Sequence, residues 1–300
     1  MNRKTNDRRS VLMMVSSMLI FGTIGVFRRY IPVSSAFLAC SRGILGGLCI
    51  LLFLRLKKQK PEEKIPRRVL PGLIVSGMLI GVNWILLFEA YNHTTVAVAT
   101  LCYYMQPTIV MLLSPLFFRE RLTPGKAVCA AVAVAGMVLV SGVSGEGGAQ
   151  GGSLRGILLG LGAAVCYSAV VMINNKIQGI GAYRKTTVQL LSAGMVMIPC
   201  LLAEGGFDFG EGFGPVQAIL LLVVGVVHTG IAYVLYFGSM DGLRVQTVAI
   251  LSYIDPVSAL LFSAFLLREP LSVPKIIGAA MIIGSAILIE FRKPDDSLPG

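Results

Sequence analysis

Charge is the scarcest thing in this sequence. Only 14% of its 300 residues are Asp, Glu, Lys or Arg, where a soluble globular domain carries roughly 25%. Apolar residues fill the deficit at 55% of the chain, and the mean hydropathy is +0.78. No polar gap is wide enough for a soluble domain, so the chain reads as an all-α integral membrane protein whose solvent is mostly lipid. Histidine is nearly absent, with only His93 and His228. The six cysteines (Cys40, Cys49, Cys102, Cys129, Cys166, Cys200) lie inside apolar runs and share no pairing pattern. That argues against a disulfide framework or a zinc site and leaves small buried hydrophobes. No clustered nucleophile, acid–base pair or metal set is visible, so an enzyme site is not indicated and no cofactor is expected. The net charge of +11 does not point to nucleic acid, because the basic residues sit in short loops rather than on one face.

What the sequence has in abundance is apolar runs of about 20 residues, the length that spans the hydrocarbon core. They cover Ser10 to Phe27, Val33 to Leu54, Leu70 to about Ala90, Thr95 to Phe118, and the stretch opening at Thr123-Pro124 and ending near Val143. Thr123-Pro124 has the form of an N-cap followed by a first-turn proline. After SGEGGAQGGS at Ser144 to Ser153, a flexible linker by composition, come Leu154 to Ile173, Thr186 to Ala203, Pro215 to Gly238, Val245 to Leu267 and Val273 to Phe291. The basic residues ahead of Ser10 resemble the start of a signal peptide. Arg28 and Arg29 follow the run in place of a small-x-small cleavage site, so the run is expected to be a retained helix.

The chain contains itself twice. Val96 to Val140, VAVATLCYYMQPTIVMLLSPLFFRERLTPGKAVCAAVAVAGMVLV, returns 149 residues later as Val245 to Ile289, VQTVAILSYIDPVSALLFSAFLLREPLSVPKIIGAAMIIGSAILI. Without a gap Tyr104 falls on Tyr253, Pro107 on Pro256, Ser114 on Ser263, Arg119 on Arg268, Glu120 on Glu269, Leu122 on Leu271 and Lys126 on Lys275. Apolar helices share Leu and Val by chance, but not this spaced set, so the stretch marks an internal duplication. The expected organisation is a five-helix repeat at 10–143, the linker at 144–153, and a second five-helix repeat at 154–291. Five is odd, so the second copy enters the membrane from the opposite side. With the N-terminus inside, the inner loops and tails collect about 20 Lys and Arg against about 5 outside. The Arg55 to Arg68 linker then lies inside and the acidic loop with Glu204, Asp208 and Glu211 outside. Ten transmembrane helices in two inverted repeats, with both termini cytoplasmic, is the plan of secondary transporters, whose site lies near the midplane where the repeats meet.

Intramembrane ionisable groups are costly and mark candidate sites. Arg42 stands at mid-helix among Gly43, Gly46 and Gly47, where a lone cation costs about 3 kcal/mol on insertion scales. It reads either as an anchor for a substrate carboxylate or as a structural tie to carbonyls or an acid. Asp255 precedes Pro256 near mid-depth and could hold an amine, carry a proton or bond a neighbouring helix. Its repeat mate is the neutral Gln106. His228 reads as a proton relay or a packed hydrogen-bonder, and Glu89 as an interfacial carboxylate. Pro107 and Pro256 each free a backbone carbonyl, tolerated only beside neighbours or cavity water that satisfy it. Around them stand Tyr103, Tyr104, Gln106, Tyr253 and Asp255, with Asn83 and Trp84 on the preceding helix and Tyr233 and Tyr236 as second-half counterparts. Aromatic walls with a few polar tips are the usual lining of a small-molecule cavity. Glu120 and Glu269, at helix ends beside Thr123 and Ser272, read as turn structure.

These features together resemble the EamA family of the drug/metabolite transporter superfamily. The resemblance spans about Ser10 to Phe291 and rests on PTIVMLLSPLFFRERLT in the first half and DPVSALLFSAFLLREPLS in the second. Phe21-Gly22 stands where the family often has Trp-Gly. The resemblance implies export or exchange of small metabolites by alternating access and leaves the substrate open; the expectation for this chain is a cell-membrane transporter of solutes such as amino acids or related compounds, with proton coupling as one option. The resemblance also implies an arginine in the second helix and an acid before the second-half proline, the positions of Arg42 and Asp255. The alternatives are a membrane-embedded enzyme acting on lipid-like substrates and a channel, which would have no need of an inverted duplication.

Overall fold

The computed structural model describes residues 3–57, 65–118, 123–141, 153–203, 209, 212–240, 243 and 245–291. They form a helical bundle. Its elements are α1 (Arg3–Gly22), α2 (Ile24–Arg29), α3 (Ser35–Leu56), α4 (Leu70–His93), α5 (Val96–Tyr103), α6 (Gln106–Phe118) and α7 (Pro124–Ser141), followed by α8 (Leu154–Lys176), α9 (Ala182–Ala203), α10 (Pro215–Gly225), a π-helical turn (Val226–Ile231), α11 (Ala232–Met240), α12 (Val245–Ser252), α13 (Ile254–Leu266) and α14 (Val273–Phe291). Joined across their short breaks, these make ten segments among the described residues. Seven are long and apolar enough to cross a membrane, and those over α7, α13 and α14 are shorter apolar helices. The Gly-rich linker as far as Gly152, the acidic side chains Glu204, Asp208 and Glu211, and Arg119, Glu120 and Leu122 of the first repeated turn lie outside the described residues, as does the middle of the basic linker.

The apolar runs and the helices agree except at their ends and breaks. α1 begins at Arg3, well before the first apolar run, because a helix can continue into polar sequence. It breaks at Thr23, whose hydroxyl lies 2.8 Å from the Ile20 carbonyl. The fourth and ninth runs are each two helices. α5 ends at Tyr103 and α6 resumes at Gln106 with Pro107 in its first turn; α12 ends at Ser252 and α13 resumes at Ile254 with Pro256 in its first turn. A proline has no N–H to continue the preceding helix but suits the first turn of a new one. The eighth run is interrupted by a π turn, a feature that recurs at functional sites.

Large apolar side chains such as Leu12, Leu52, Leu116, Leu158, Leu222 and Phe265 point outward and exposed. In water so broad an apolar surface would aggregate; in a bilayer it is the lipid contact. Lipid gives no hydrophobic drive between helices, so they associate through close packing at small residues. α3 packs on α9, α7 on α14, α4 on α8 and α1 on α11. The α3–α9 contact brings backbone against backbone. A Cβ at Gly43 would lie 2.6 Å from the Gly194 nitrogen and 2.7 Å from the Leu190 carbonyl oxygen. Both are backbone atoms that cannot swing aside. Gly43→Ala should therefore destabilise the bundle by about 1–3 kcal/mol, the usual cost of overpacking. Thermal unfolding in detergent reads this as a lowered midpoint; an unchanged midpoint would mean that α3 and α9 can separate freely.

Candidate functional site

The two broken segments face one cavity of about 270 Å³. α1 and α2 contribute Met18, Phe21, Gly22, Ile24 and Gly25. Arg42 enters from α3, Asn83, Trp84, Leu87 and Tyr91 from α4, and Tyr167 from α8. The first break supplies Thr100, Tyr103, Tyr104 and Gln106, α11 supplies Tyr233 and Tyr236, and the second break supplies Ser252, Asp255 and Ala259. The volume falls just under the range of drug-sized ligand pockets, about 300–1,000 Å³. It suits a small metabolite.

Arg42 is 6% exposed. Its Nε donates to Thr229 Oγ1 at 2.8 Å, and Thr229 in turn donates to the Val224 carbonyl at 3.1 Å inside the π turn. The guanidinium carbon lies 4.2 Å from the Trp84 ring centre and 5.7 Å from that of Phe88. Trp and Arg form the strongest of the cation–π pairings, and burial strengthens it. Asp255 accepts a hydrogen bond at Oδ2 from the Tyr104 hydroxyl, which crosses from the first break to the second. Asn83 Nδ2 donates to the Ala163 carbonyl at 2.6 Å and so ties α4 to α8 beside the cavity. Ser168 donates to the Gln106 carbonyl at 3.2 Å at the first break. Tyr103 meets Tyr167 at 5.7 Å and Phe21 meets Tyr233 at 5.3 Å between ring centres, forming an aromatic wall.

Of the candidates named from the sequence, Arg42, Asn83, Trp84, Tyr103, Tyr104, Gln106 and Asp255 line this cavity, while His228 and Tyr253 do not. His228 is buried in the π turn. Its Nε2 is 2.8 Å from Thr23 Oγ1, its Nδ1 is 3.3 Å from the Val223 carbonyl, and Phe27 packs on its ring. These contacts link the α1–α2 break to the π turn. Tyr253 stands at the N-cap of α13. Glu89 is held by Ser35, Asn92 and His93 at the end of α4, outside the cavity. Sequence reasoning passed over Tyr167 and Tyr91. Tyr167 lies on α8, the first helix of the second half, as Phe21 lies on α1, the first of the first half.

Glu269, just beyond α13, joins the two halves of the chain at the start of α5. Its carboxylate accepts from the backbone nitrogens of Val96 at 2.9 Å and Ala97 at 3.3 Å and from the Ser263 hydroxyl, and it pairs with Arg29 at 3.3 Å. Thr95 Oγ1 takes the next nitrogen, Val98, at 3.2 Å. The first three free donors of α5 are thus satisfied, two of them by the other half of the chain. Sequence reasoning took Glu269 for turn structure; a side chain's reach across the bundle has no local signature. Its repeat mate Glu120 lies outside the described residues. A carboxylate at a helix N-terminus contributes about 0.3–2 kcal/mol through its charge. Glu269→Gln keeps the shape and removes the charge, so it should loosen this junction. In a cysteine-free background, a cysteine at Ile24 should then react with a thiol reagent about 2- to 30-fold faster than with Glu269 intact. Equal rates would show that the carboxylate does not hold this junction shut.

A family model described as the EamA-like transporter family matches the chain twice, over residues 8–142 and 154–291. An uncharacterized transporter of Bacillus subtilis, YxxF, is 27% identical over 95% of this chain and 90% of its own length. An uncharacterized inner membrane transporter of Salmonella typhimurium, YicL, is 25% identical over 95% of this chain and 96% of its own. The RarD protein of Escherichia coli is 22% identical over 92% of this chain and 91% of its own. A solved crystal structure superposes with a TM-score of 0.64 at 21% identity, covering 94% of this chain and 98% of that one. At that identity the last match speaks for the fold alone.

Proposed function

Since the chain belongs to the EamA-like transporter family of the drug/metabolite transporter superfamily, we propose that it is an exporter or exchanger of small metabolites, such as amino acids or related compounds, working by alternating access around the central cavity. The observation that carries this reading is the cavity's position. It lies against two proline-broken segments, α5–α6 and α12–α13, one from each matched half. Broken helices at the midplane are where transporters of this kind bind their cargo. The packing pairs support a two-fold repeat, and five segments per half with the loop charges support its inversion. An exchange of the halves maps α3 on α9 and α7 on α14 onto themselves, and turns α4 on α8 into α1 on α11. Each face of the cavity is then built from equivalent parts, so the state closed at one end has a counterpart closed at the other.

The charge of the loops supports cytoplasmic termini in the cell membrane. With that orientation the end held by Arg29 and Glu269 faces outward. Closure there by contacts between the halves is what a transporter open or opening to the cytoplasm requires. The test is exchange by purified protein in liposomes against a metabolite panel, with and without a pH gradient. A cargo inside should accelerate uptake of labelled cargo from outside. Chemical conversion without transport would favour the enzyme, and ion conductance without saturation would favour the channel.

A further inference from the structure

We infer that the neighbouring ends of α3, α4, α8 and α9, on the face that the loop charges make cytoplasmic, form a docking site for the headgroup of an anionic phospholipid. The site shares no residue with the cavity and does not depend on what the cavity carries. The four ends meet. Phe53 of α3 and Tyr183 of α9 lie 5.5 Å apart between ring centres. Gln189 of α9 donates from Nε2 to Ser76 Oγ of α4 at 2.6 Å and to Asn174 Oδ1 of α8 at 2.8 Å. A Cβ at Gly72 of α4 would stand 3.2 Å from Cδ1 of Ile177, the residue that follows α8. To this junction the chain brings Arg55 and Lys57 at the end of α3, Arg67 and Arg68 just ahead of α4, Lys176 at the end of α8 and Lys185 in the first turn of α9. No Asp or Glu occurs in residues 50–57, 65–76 or 170–189.

The depth of the patch favours a lipid over a soluble anion. α3 has 22 residues, about 33 Å of helix, which matches the hydrocarbon core and leaves its end at the headgroups. Leu52 and Leu56, one turn apart on α3 beside Arg55 and Lys57, are 57% and 73% exposed. A chain-bearing anion therefore finds apolar and cationic partners on one helix. Two of the cations are already directed. The Lys57 ammonium stands 5.7 Å from the Phe53 ring centre. Lys185 Nζ donates to the Asn174 and Ile177 carbonyls at 3.3 and 2.7 Å, which holds it at the carbonyl end of α8. Arg55, Arg67 and Arg68 are exposed and belong to no ion pair among the described residues. Cations gathered without a carboxylate repel one another until an anion settles among them. Basic pockets between transmembrane helices on the cytoplasmic side take anionic headgroups in this way. Arg8 and Arg9 of α1 supply the contrast: they are exposed on the same face, but α1 packs on α11 and α13.

The test is thermal unfolding of the purified protein in mixed micelles, titrated with dioleoyl phosphatidylglycerol, with dioleoyl phosphatidylcholine, or with inorganic phosphate in the buffer. Phosphatidylglycerol should raise the midpoint at a mole fraction where phosphatidylcholine does not, and phosphate alone should not raise it. Each cation close to an anionic lipid contributes about 5-fold to its binding. Arg67→Gln combined with Arg68→Gln should then need about 10- to 30-fold more phosphatidylglycerol for the same shift. Arg8→Gln combined with Arg9→Gln removes equal charge from the same face and should leave the titration unchanged. The midpoints without added lipid check that both variants fold. The inference is overturned if phosphatidylglycerol gives no shift, if phosphatidylcholine or phosphate gives the same one, or if the α1 variant loses as much as the α4 variant. A protein that transports nothing can still show the lipid effect, and a transporter can lack it, so this result and the liposome exchange fail separately.

Discussion

Arg42→Lys keeps the charge and should still lower exchange in liposomes by about 10- to 100-fold. Lysine carries a compact ammonium on a flexible stem and cannot reproduce a planar fork. It loses the bond from Nε to Thr229 and the seat over Trp84, 4.2 Å away. The ammonium is also free to move toward Asp255 and neutralise it, which would occupy the site from within. Both effects raise the concentration needed for half-maximal exchange. If Arg42 merely tied α3 to the π turn, lysine would change stability without changing that concentration. The measurement is exchange rate against cargo concentration for both proteins, with the unfolding midpoint as a control. Unaltered half-saturation in a folded variant would remove Arg42 from the cargo.

Asp255→Asn has an effect of similar size and separates three roles. As the anchor of an amine, Asp255 acts through its charge. Asparagine should then weaken exchange and pH-driven uptake alike, by about 10-fold or more, and this is the expected outcome. A proton carrier must titrate, so in that role asparagine would stop pH-driven uptake and spare exchange. A purely structural acceptor for Tyr104 would tolerate asparagine, whose side-chain oxygen can still accept that bond. Gln106 at the equivalent place in the first half shows that the helix break itself needs no charge. Assaying the two modes separately decides among the roles, and wild-type rates in both would take Asp255 out of the site.

The ten segments were legible because apolar length is a direct physical requirement of the bilayer. Pro107 and Pro256 pointed to freed carbonyls beside Gln106 and Asp255, but the breaks themselves were not legible, since Pro115 and Pro199 stand inside unbroken α6 and α9. Residues close to Pro107 and Pro256, namely Tyr104, Gln106 and Asp255, face the cavity, while Met18, Leu87, Tyr91, Tyr167 and Ala259 reach it through packing alone. The rest depended on packing. The π turn at Val226–Ile231 has no sequence signal, yet through Thr229 it orients Arg42. His228 reads in the sequence as a relay or a packed side chain; its burial in the π turn, with Thr23 and the Val223 carbonyl at its two nitrogens, depends on packing. Glu269 carries a local motif that describes a turn, while its bonds to Val96 and Ala97 run to the other half of the chain.

The central claim is that the cavity opens by turns to the two faces of the membrane, and that contact between Arg29 and Glu269 closes the outer one. Cysteines at these two positions can be joined by a short bifunctional reagent, since the side chains meet at 3.3 Å. A third cysteine at Gln106, in a background lacking the six native ones, reports access to the cavity. Before joining, an impermeant thiol reagent should reach Gln106→Cys from either face, in right-side-out and in inside-out vesicles. After joining, reaction from the outer face should be lost and reaction from the cytoplasmic face kept. Loss from both faces, or unchanged reaction from the outer face, would contradict the account.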